Sequence, residues 1–194
     1  MGELLEEILE VLRDLPWAAV ETQEGEMSRS FAGDHSSFLM GLTRGIAGTN
    51  GYEETIERDG KTYGVNRRIV KGHAARRPNA RIKVERLWRL VKRMAGDFRF
   101  TTAQVLKNAP PGKRHDDRGD TSLSKIVTLG EFTGGALVAD NAEGGKTRYD
   151  THGKPTVFDA RRPHKIEAWK GKERYSVILY SILQARPAPL GDNL

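Results

Sequence analysis

The hydrophobic pattern of this chain changes period at Gly96, and this change limits the folds that it can adopt. Before Gly96, two segments repeat apolar residues at helical spacing; after it, short apolar runs alternate with Gly, Pro, Asp and Asn. Helices that precede a train of short strands predict a mostly β protein with flanking helices, built as a sandwich or jelly roll. The predicted strands lie in FRFTTAQVLKNA, SKIVTLG, GALVAD, TRYD, TVFDA and RYSVILYSILQ.

Two amphipathic helices are predicted in the first half of the chain. Residues 3–15 place Leu, Ile and Val at helical spacing, and Pro16 ends that helix because proline cannot continue it. A second helix covers about 79–95, with Asn79 as its N-cap and Gly96 after its last turn. Both helices have one apolar face, so we expect both to pack on the strands.

The segment between the helices is polar and rich in glycine. We expect residues 21–64 to form loops and short edge strands around the mouth of a site. Within this segment, residues 57–65 predict a hairpin whose turn is Asp59 and Gly60.

The length of the chain bounds the number of domains. A chain of 194 residues is long enough for one domain with its own core, and it requires no second domain. We therefore expect a single domain over 1–194. Its helical and loop part, 1–97, would pack on a jelly-roll core at 98–184.

Composition excludes several classes of protein. The chain has no cysteine, so disulfides, zinc ribbons and thiol catalysis are excluded, and any metal must be held by His, Asp or Glu. No apolar run approaches the roughly 18–20 residues that span a bilayer. The start, MGELLEEILEVLRDLP, is acidic and lacks the basic, then apolar, pattern of a signal peptide. We expect a soluble intracellular protein, cytoplasmic or nuclear, without a membrane partner.

The charge is distributed unevenly along the chain. Residues 1–60 carry 13 acidic and 4 basic residues, whereas residues 67–93 carry 11 basic residues and one acidic residue, Glu85. A basic block of this kind predicts an anionic partner, with DNA or RNA first. The alternative is a solvated helix face together with a flexible loop, and the charge pattern alone does not decide between them.

A histidine and an aspartate stand two positions apart in HDDRGD. In extended backbone, residues i and i+2 point to the same side, so His115 and Asp117 can hold one metal ion while Asp116 points away. A third ligand must come from elsewhere, and the candidates are His152 and His164. Two imidazoles and one carboxylate form the facial triad of non-haem Fe(II) oxygenases.

The choice between the two histidines depends on the residues downstream of each. Arg174 lies ten residues after His164 in a strand-like run, and Ser176 comes two residues later on the same face. An arginine and a hydroxyl there can bind the far carboxylate of a 2-oxo acid. His152 also has an arginine ten residues on, Arg162, but that residue lies in a loop-like stretch. We therefore favour His164.

Each of these residues also has a purely structural interpretation. His115 and Asp117 could form a surface turn, and His164 could be a packed histidine. Arg174 could be a solvating charge on an edge strand. Asn108, just upstream of His115 and Asp117, could either contact the 2-oxo acid or cap a turn.

Two stretches resemble the Fe(II)/2-oxoglutarate-dependent dioxygenase superfamily. These are FTTAQVLKNAPPGKRHDD…SLSKIVTLGEFTGGALV and FDARRPHKIEAWKGKERYSVILY, and the resemblance covers about 98–184. It implies a double-stranded β-helix, iron bound by His115, Asp117 and His164, and 2-oxoglutarate bound by Arg174 with Ser176. It also implies dioxygen as co-substrate, ascorbate as an aid to turnover, and hydroxylation of a C–H bond coupled to release of succinate and carbon dioxide.

The first stretch further resembles the thymine and 5-methylcytosine hydroxylases of the TET and base-J group. This resemblance implies a nucleic-acid base as substrate, flipped into the pocket, with phosphates on the 67–93 block. Asn66, Arg67 and Arg68 are then candidate substrate contacts. Two alternatives stay open: the same chemistry on a protein side chain or small metabolite, and a non-catalytic binding module on the same fold.

Overall fold

The structure, a computed structural model, describes residues 1–15, 17, 36–44, 54–58, 61–66 and 80–182. Within these ranges the chain forms two helices and twelve strands. The helices are α1 (Gly2–Asp14) and α2 (Ala80–Ala95). The strands are β1 (Ser36–Arg44), β2 (Glu54–Arg58), β3 (Lys61–Asn66), β4 (Thr102–Lys107), β5 (Ser124–Leu129), β6 (Phe132–Gly134), β7 (Leu137–Asp140), β8 (Lys146–Tyr149), β9 (Thr156–Phe158), β10 (His164–Ile166), β11 (Trp169–Gly171) and β12 (Tyr175–Tyr180).

Both predicted helices are confirmed. The apolar stripe of each is buried: Leu5, Ile8 and Leu12 in α1, and Leu87 and Val91 in α2, are at most 6% exposed. After α2 the chain turns at Gly96, whose φ of 57° is a left-handed conformation that favours glycine. The predicted N-cap of α2 lies outside the described residues. Neither helix is long and apolar enough to cross a membrane in the part of the chain that the structure describes.

The strands form antiparallel sheets, as the mostly β, jelly-roll prediction expects. The main sheet has seven strands in the order β2-β3-β1-β4-β12-β5-β9. A small sheet has the order β10-β7-β8, and β11 pairs with β6 as a two-stranded ribbon. In the middle of the main sheet, paired strands are distant in sequence, since β4 and β5 both pair with β12 near the end of the described chain.

Two hydrophobic cores lie on opposite faces of the main sheet. One core joins both helices to the face that carries Val105, Val127 and Val177. The other joins the opposite face, through Ile126 and Ile178, to the small sheet. The described residues therefore form three layers: helices, main sheet and small sheet. The helices cover one face of the main sheet, and the small sheet covers the other.

The segment at 21–64 differs from its prediction as loops and edge strands. β1 lies inside the main sheet, with β3 on one side and β4 on the other. The strand run of the main sheet thus begins at Ser36, well before the expected boundary at residue 98. β1 was not predicted as an interior strand because its partner residues in β4 are about 60 to 70 residues further along the chain. Phe38 and Met40 of β1 are buried in the core that both helices share. The β2–β3 hairpin is confirmed, and its two predicted turn residues lie outside the described residues.

Candidate metal centre

Three of the predicted ligands converge at one end of the space between the main and small sheets. The ligand atoms of His115, Asp117 and His164 all lie within 4.8 Å of one another. The His115 Nε2 to Asp117 Oδ1 distance is 3.9 Å, and the His164 Nε2 to Asp117 Oδ2 distance is 3.7 Å. Facial ligands about 2.1 Å from one ion would be about 3 Å apart. Small side-chain movements therefore suffice to bring these atoms onto a metal.

Backbone pairing brings the two histidines together. His115 and His164 form an antiparallel bridge, with His115 N donating to His164 O at 3.0 Å and His164 N donating to His115 O at 2.7 Å. Two residues on, Asp117 N donates to Ala160 O at 2.8 Å. Residues 115–117 therefore run extended beside 160–164. This is why the His-x-Asp spacing directs both side chains to one side.

Each histidine presents its Nε2 atom to the site for a defined reason. His115 Nδ1 lies 2.8 Å from Lys113 O, and His164 Nδ1 lies 2.9 Å from Arg162 O. A carbonyl oxygen only accepts hydrogen bonds, so Nδ1 carries the proton on both rings. The lone pair is then on Nε2, the tautomer that binds a metal, and the carbonyl fixes the orientation of the ring.

The site is walled on one side and open on the other. The His164 side chain is 7% exposed, and its ring packs edge-on against Phe158 at 5.3 Å. The His115 and Asp117 side chains are 52% and 48% exposed. A substrate therefore has access from the side of the 112–118 segment.

His152, the other candidate for the third ligand, is not part of this cluster. Its Nε2 lies 3.1 Å from Gly130 O, and its ring stacks on Phe132 at 4.2 Å. Arg162, ten residues after it, donates to Asn141 O and pairs with Asp159. The side chains of both residues are thus engaged away from the three ligands.

Arg174 is a buried cation whose hydrogen-bonding capacity is not filled. The residue is 1% exposed, yet among the described residues no carboxylate pairs with it. Nη1 donates to Ser176 Oγ at 2.9 Å and Nη2 to Gly135 O at 3.4 Å, whereas Nε has no partner in the described chain. Burial lowers the pKa of Arg174 to about 10, so it is still charged at pH 7. An unpaired buried cation is costly, and a bound anion would remove that cost.

The face of β12 that carries Ser176 looks toward the small sheet. Tyr175 and Val177 belong to the core against the helices, so Ser176 between them points the other way. Thr128 of β5 lies opposite Ser176 of β12, and the Thr128 hydroxyl is 3.0 Å from the Thr151 hydroxyl. All of these side chains are buried. Thr128 and Thr151 were not predicted from the sequence, because only the β5–β12 register places them beside Ser176.

Gly135 and the Phe132 ring complete the surroundings of Arg174. A Cβ on Gly135 would lie 3.0 Å from Arg174 Nε and 3.1 Å from Trp169 Cβ, and its φ of 70° also favours glycine. The guanidinium carbon lies 5.4 Å from the centre of the Phe132 ring, close enough for a cation–π contact. The double glycine in FTGGALV therefore lets the backbone approach the arginine closely.

Asn108, predicted either to contact the 2-oxo acid or to cap a turn, hydrogen-bonds the backbone of Arg174 in the structure. Its Oδ1 accepts a hydrogen bond from Arg174 N at 2.9 Å, and its own N–H donates to Arg174 O at 2.7 Å. Its φ of 53° is the left-handed region, which asparagine tolerates better than most residues. Asn108 thus holds the backbone of Arg174.

The predicted substrate contacts are not brought to the site by the described residues. Asn66 is the last residue of β3 and pairs with Gly41 of β1, and Arg67 and Arg68 lie outside the described residues. The rest of the basic block that the structure describes is α2, which packs on the helix side of the main sheet. The main sheet therefore lies between α2 and the small sheet that carries His164.

Charges at the open side are matched in pairs. Arg114 pairs with Asp140, Arg118 with Asp116 at 3.1 Å, and Arg161 with Asp159 at 2.7 Å. The Arg161 hydrogen bond lowers the pKa of Asp159. Asp120 N donates to Asp117 O at 2.9 Å, and burial raises the pKa of the Asp120 carboxyl to about 6. Two of these ion pairs are internal to the 112–120 and 159–162 segments, and the segments themselves are joined by the backbone hydrogen bond from Asp117 N to Ala160 O.

Comparison with known proteins finds similarity among solved structures only. No protein-family model matches the chain, and no curated protein matches it. An oxidoreductase of the 2OG-Fe(II) oxygenase family from Burkholderia pseudomallei is similar at TM-score 0.48 and 17% identity, over 91% of this chain and 77% of that one. A prolyl-4-hydroxylase from Pseudomonas putida is similar at TM-score 0.45 and 18% identity, over 93% and 87%. A Trichoplax adhaerens prolyl hydroxylase, in complex with a peptide fragment of the hypoxia inducible factor oxygen degradation domain, is similar at TM-score 0.44 and 13% identity, over 92% and 76%. At this distance, an assignment of function has to rest on the side chains of the chain itself.

Proposed function

We propose that this chain is an Fe(II)- and 2-oxoglutarate-dependent dioxygenase that hydroxylates a C–H bond. The observation that carries the proposal is Arg174, a buried cation with a free Nε and no carboxylate partner in the described chain. Its partner Ser176 is on the face of the main sheet that looks toward the small sheet, and His164 of the metal cluster is on β10 of that small sheet. A metal site alone fits many functions, but a metal site with an unfilled anion anchor fits few.

The donor set supports iron at the metal site. Two imidazoles and one carboxylate, with the remaining positions open, are typical of non-haem Fe(II) oxygenases. His115 and His164 would bind through Nε2 and Asp117 through a carboxylate oxygen. When bound, iron supplies the activation of dioxygen that the side chains of the protein cannot supply. The carbonyl oxygens of Lys113 and Arg162 hold the two rings in the tautomer that this requires.

The anchor supports a dicarboxylic 2-oxo acid as co-substrate. Gly135, which contacts Arg174, and Ala139, which pairs with His164, are four residues apart in the chain. Their Cα atoms are therefore at most about 14 Å apart. One carboxylate on the Arg174 guanidinium and the Ser176 hydroxyl would direct the other end of a short acid toward the metal ligands. Buried Thr128 adds a further hydroxyl beside Ser176.

The substrate class is a finer proposal. A nucleic-acid base, predicted from the sequence, now depends on the part of the basic block that lies outside the described residues. The described part, α2, is separated from the site by the main sheet, and it packs against acidic α1 through Lys83–Asp14 at 2.8 Å and Arg93–Glu7 at 3.7 Å. Hydroxylation of a protein side chain or a small metabolite needs no basic surface, so it is the second candidate. The similarity to prolyl hydroxylases is too distant to assign their substrates to this chain.

Two measurements test the proposal. Anaerobic titration of 2-oxoglutarate into Fe(II)-loaded protein should show one saturable site, and aerobic incubation with ascorbate should release succinate. Candidate substrates would then be added in parallel, namely modified and unmodified DNA, peptides and cell metabolites, and mass spectrometry would detect one added oxygen. The proposal is wrong if the folded protein binds Fe(II) but neither binds 2-oxoglutarate nor forms succinate.

A further inference from the structure

Arg13, in the last turn of α1, contacts two separate turns of the β part. Its Nε donates to Glu173 Oε1 at 2.6 Å, and its Nη2 donates to Glu131 Oε1 at 3.1 Å. Glu131 lies in the turn between β5 and β6, and Glu173 lies in the turn between β11 and β12. One guanidinium therefore bridges two turns that are about 40 residues apart in sequence.

These two turns carry the surroundings of the co-substrate anchor. Phe132, whose ring lies 5.4 Å from the Arg174 guanidinium, follows Glu131 directly. Arg174 follows Glu173 directly. The turns also touch through their backbones, since Lys172 N donates to Glu131 O at 2.9 Å. A shift of either glutamate would therefore move the ring or the guanidinium.

Glu173 is held on the helix side of the sheet by two partners. Besides Arg13, the Tyr175 hydroxyl donates to Glu173 Oε2 at 2.9 Å. The Glu173 side chain is 13% exposed. Burial acts to raise the pKa of Glu173, but the hydrogen bonds from Arg13 and Tyr175 outweigh it and the pKa is lowered. The carboxylate next to Arg174 in sequence is thus fully engaged elsewhere, which leaves the Arg174 guanidinium for an external anion.

We propose that Arg13 is a positioning residue for the co-substrate anchor, because it holds Glu131 and Glu173 and thereby fixes the turns that carry Phe132 and Arg174. This inference rests on the proposed function, in which Arg174 binds the far carboxylate of 2-oxoglutarate. Arg13 itself lies on the opposite side of the main sheet and does not touch the co-substrate.

A purely structural role for Arg13 gives a different result. If the ion pairs only dock α1 on the sheet, their loss lowers stability and leaves the affinity for 2-oxoglutarate unchanged. If they position Arg174, their loss weakens 2-oxoglutarate binding in protein that is still folded. The affinity for Fe(II) should not change in either case, because the metal ligands lie on other segments.

The test compares Arg13→Ala and Arg13→Lys with Arg93→Ala as matched control. Arg93 is also an exposed helix arginine in an ion pair, with Glu7, but it contacts neither turn. Anaerobic calorimetry would give the dissociation constant of 2-oxoglutarate with Fe(II)-loaded protein, and thermal unfolding would report stability. Arg13→Ala should weaken 2-oxoglutarate binding about three- to tenfold, in line with loss of an ion pair that is part of a network. Arg13→Lys should weaken it less, and Arg93→Ala should not change it.

A second variant keeps the inference testable if Arg13→Ala does not fold. Glu173→Gln removes the main partner of Arg13 and should weaken 2-oxoglutarate binding by a similar factor, and combining it with Arg13→Lys should add little. Unchanged binding in both variants would overturn the role of Arg13, as would equal weakening by Arg93→Ala. If the wild-type protein loads Fe(II) but does not bind 2-oxoglutarate, the proposed function itself fails and this role fails with it.

Discussion

The two ends of the space between the sheets are built in different ways. The metal end, formed by His115, Asp117 and His164, is about half exposed at two of its three side chains. The anchor end, formed by Arg174 with Ser176 and Gly135, is buried, and its backbone is held by Asn108. The Asp117 carboxylate oxygens lie 3.9 Å from His115 Nε2 and 3.7 Å from His164 Nε2, and all the ligand atoms lie within 4.8 Å of one another. The anchor is in place before any ligand arrives.

We therefore expect the two ends to have different roles, one in binding the co-substrate and the other in holding the metal next to the substrate. A preorganised cation lowers the cost of binding a co-substrate, because little has to be ordered on binding. An open metal end leaves room for a substrate beside the metal, where the C–H bond must come. Substitutions at the metal end should therefore affect both partners of the reaction, whereas substitutions at the anchor end should affect the co-substrate alone.

The largest effect is expected from loss of a metal ligand. Asp117→Ala or His164→Ala should lower Fe(II) affinity and succinate formation by more than about 100-fold, since even residues that only orient a ligand cost about 10- to 100-fold. His152→Ala is the matched control, because that histidine lies outside the cluster. Metal binding by calorimetry and succinate by mass spectrometry are the measurements. A fully active His164→Ala would refute the ligand assignment.

Loss of the anchor should separate the two ends. Arg174→Ala should weaken 2-oxoglutarate binding by about 30-fold or more, as expected when one partner of a buried charge pair is truncated. Its Fe(II) affinity should stay close to that of the wild type. Arg174→Lys keeps the charge but loses the planar guanidinium group. Its affinity for 2-oxoglutarate should therefore lie between those of the wild type and Arg174→Ala. Parallel titrations with Fe(II) and with 2-oxoglutarate would show whether the ends are in fact independent.

A smaller effect is expected at Asn108, whose side chain accepts a hydrogen bond from Arg174 N. Asn108→Asp keeps the acceptor for Arg174 N, Asn108→Gly keeps the left-handed backbone, and Asn108→Ala keeps neither. An unsatisfied buried N–H costs about 1–3 kcal/mol, and a left-handed alanine costs about 1–2 kcal/mol more than glycine. Melting temperature and 2-oxoglutarate affinity should therefore fall in the order Asp, Gly, Ala. Equal values for all three would mean that the contact does not hold Arg174.

How far the sequence predicts the molecule depends on the range of the interactions. The helices follow from local periodicity and punctuation, so α1 and α2 lie within a residue or two of their predicted ends. The His-x-Asp pair follows from the alternation of an extended strand. β1 was not predicted as an interior strand because its partner strand β4 lies far along the chain. Of the four three-residue strands in the described chain, β9 lies in a predicted run, whereas β6, β10 and β11 were not predicted because such short runs show little period.

The site shows the same limit. His164, Arg174 and Ser176 could be proposed from spacing, since they lie on one stretch near the end of the β part. Thr128 reaches the same surface only through the β5–β12 register, and Arg13 reaches the anchor only through the packing of α1. Neither pairing leaves a local signal, so a single sequence does not reveal these residues.

The smallest expected effect is the pH dependence of the stability that the Glu173 ion pair contributes. The pKa of Glu173 is lowered in the folded protein, so its ion pair stabilises the fold above the unfolded pKa of about 4.5 and is lost as pH falls through the lower folded value. Glu173→Gln should therefore melt below the wild type at pH 7, and the difference should shrink as the pH falls below about 4.5. Because the pair is partly exposed, a difference of only a few degrees at most is expected. In an Arg13→Ala background, the melting-temperature difference caused by Glu173→Gln should depend less on pH. If its pH dependence is unchanged there, Arg13 is not what lowers the pKa of Glu173. Tyr175 alone then holds the Glu173 carboxylate.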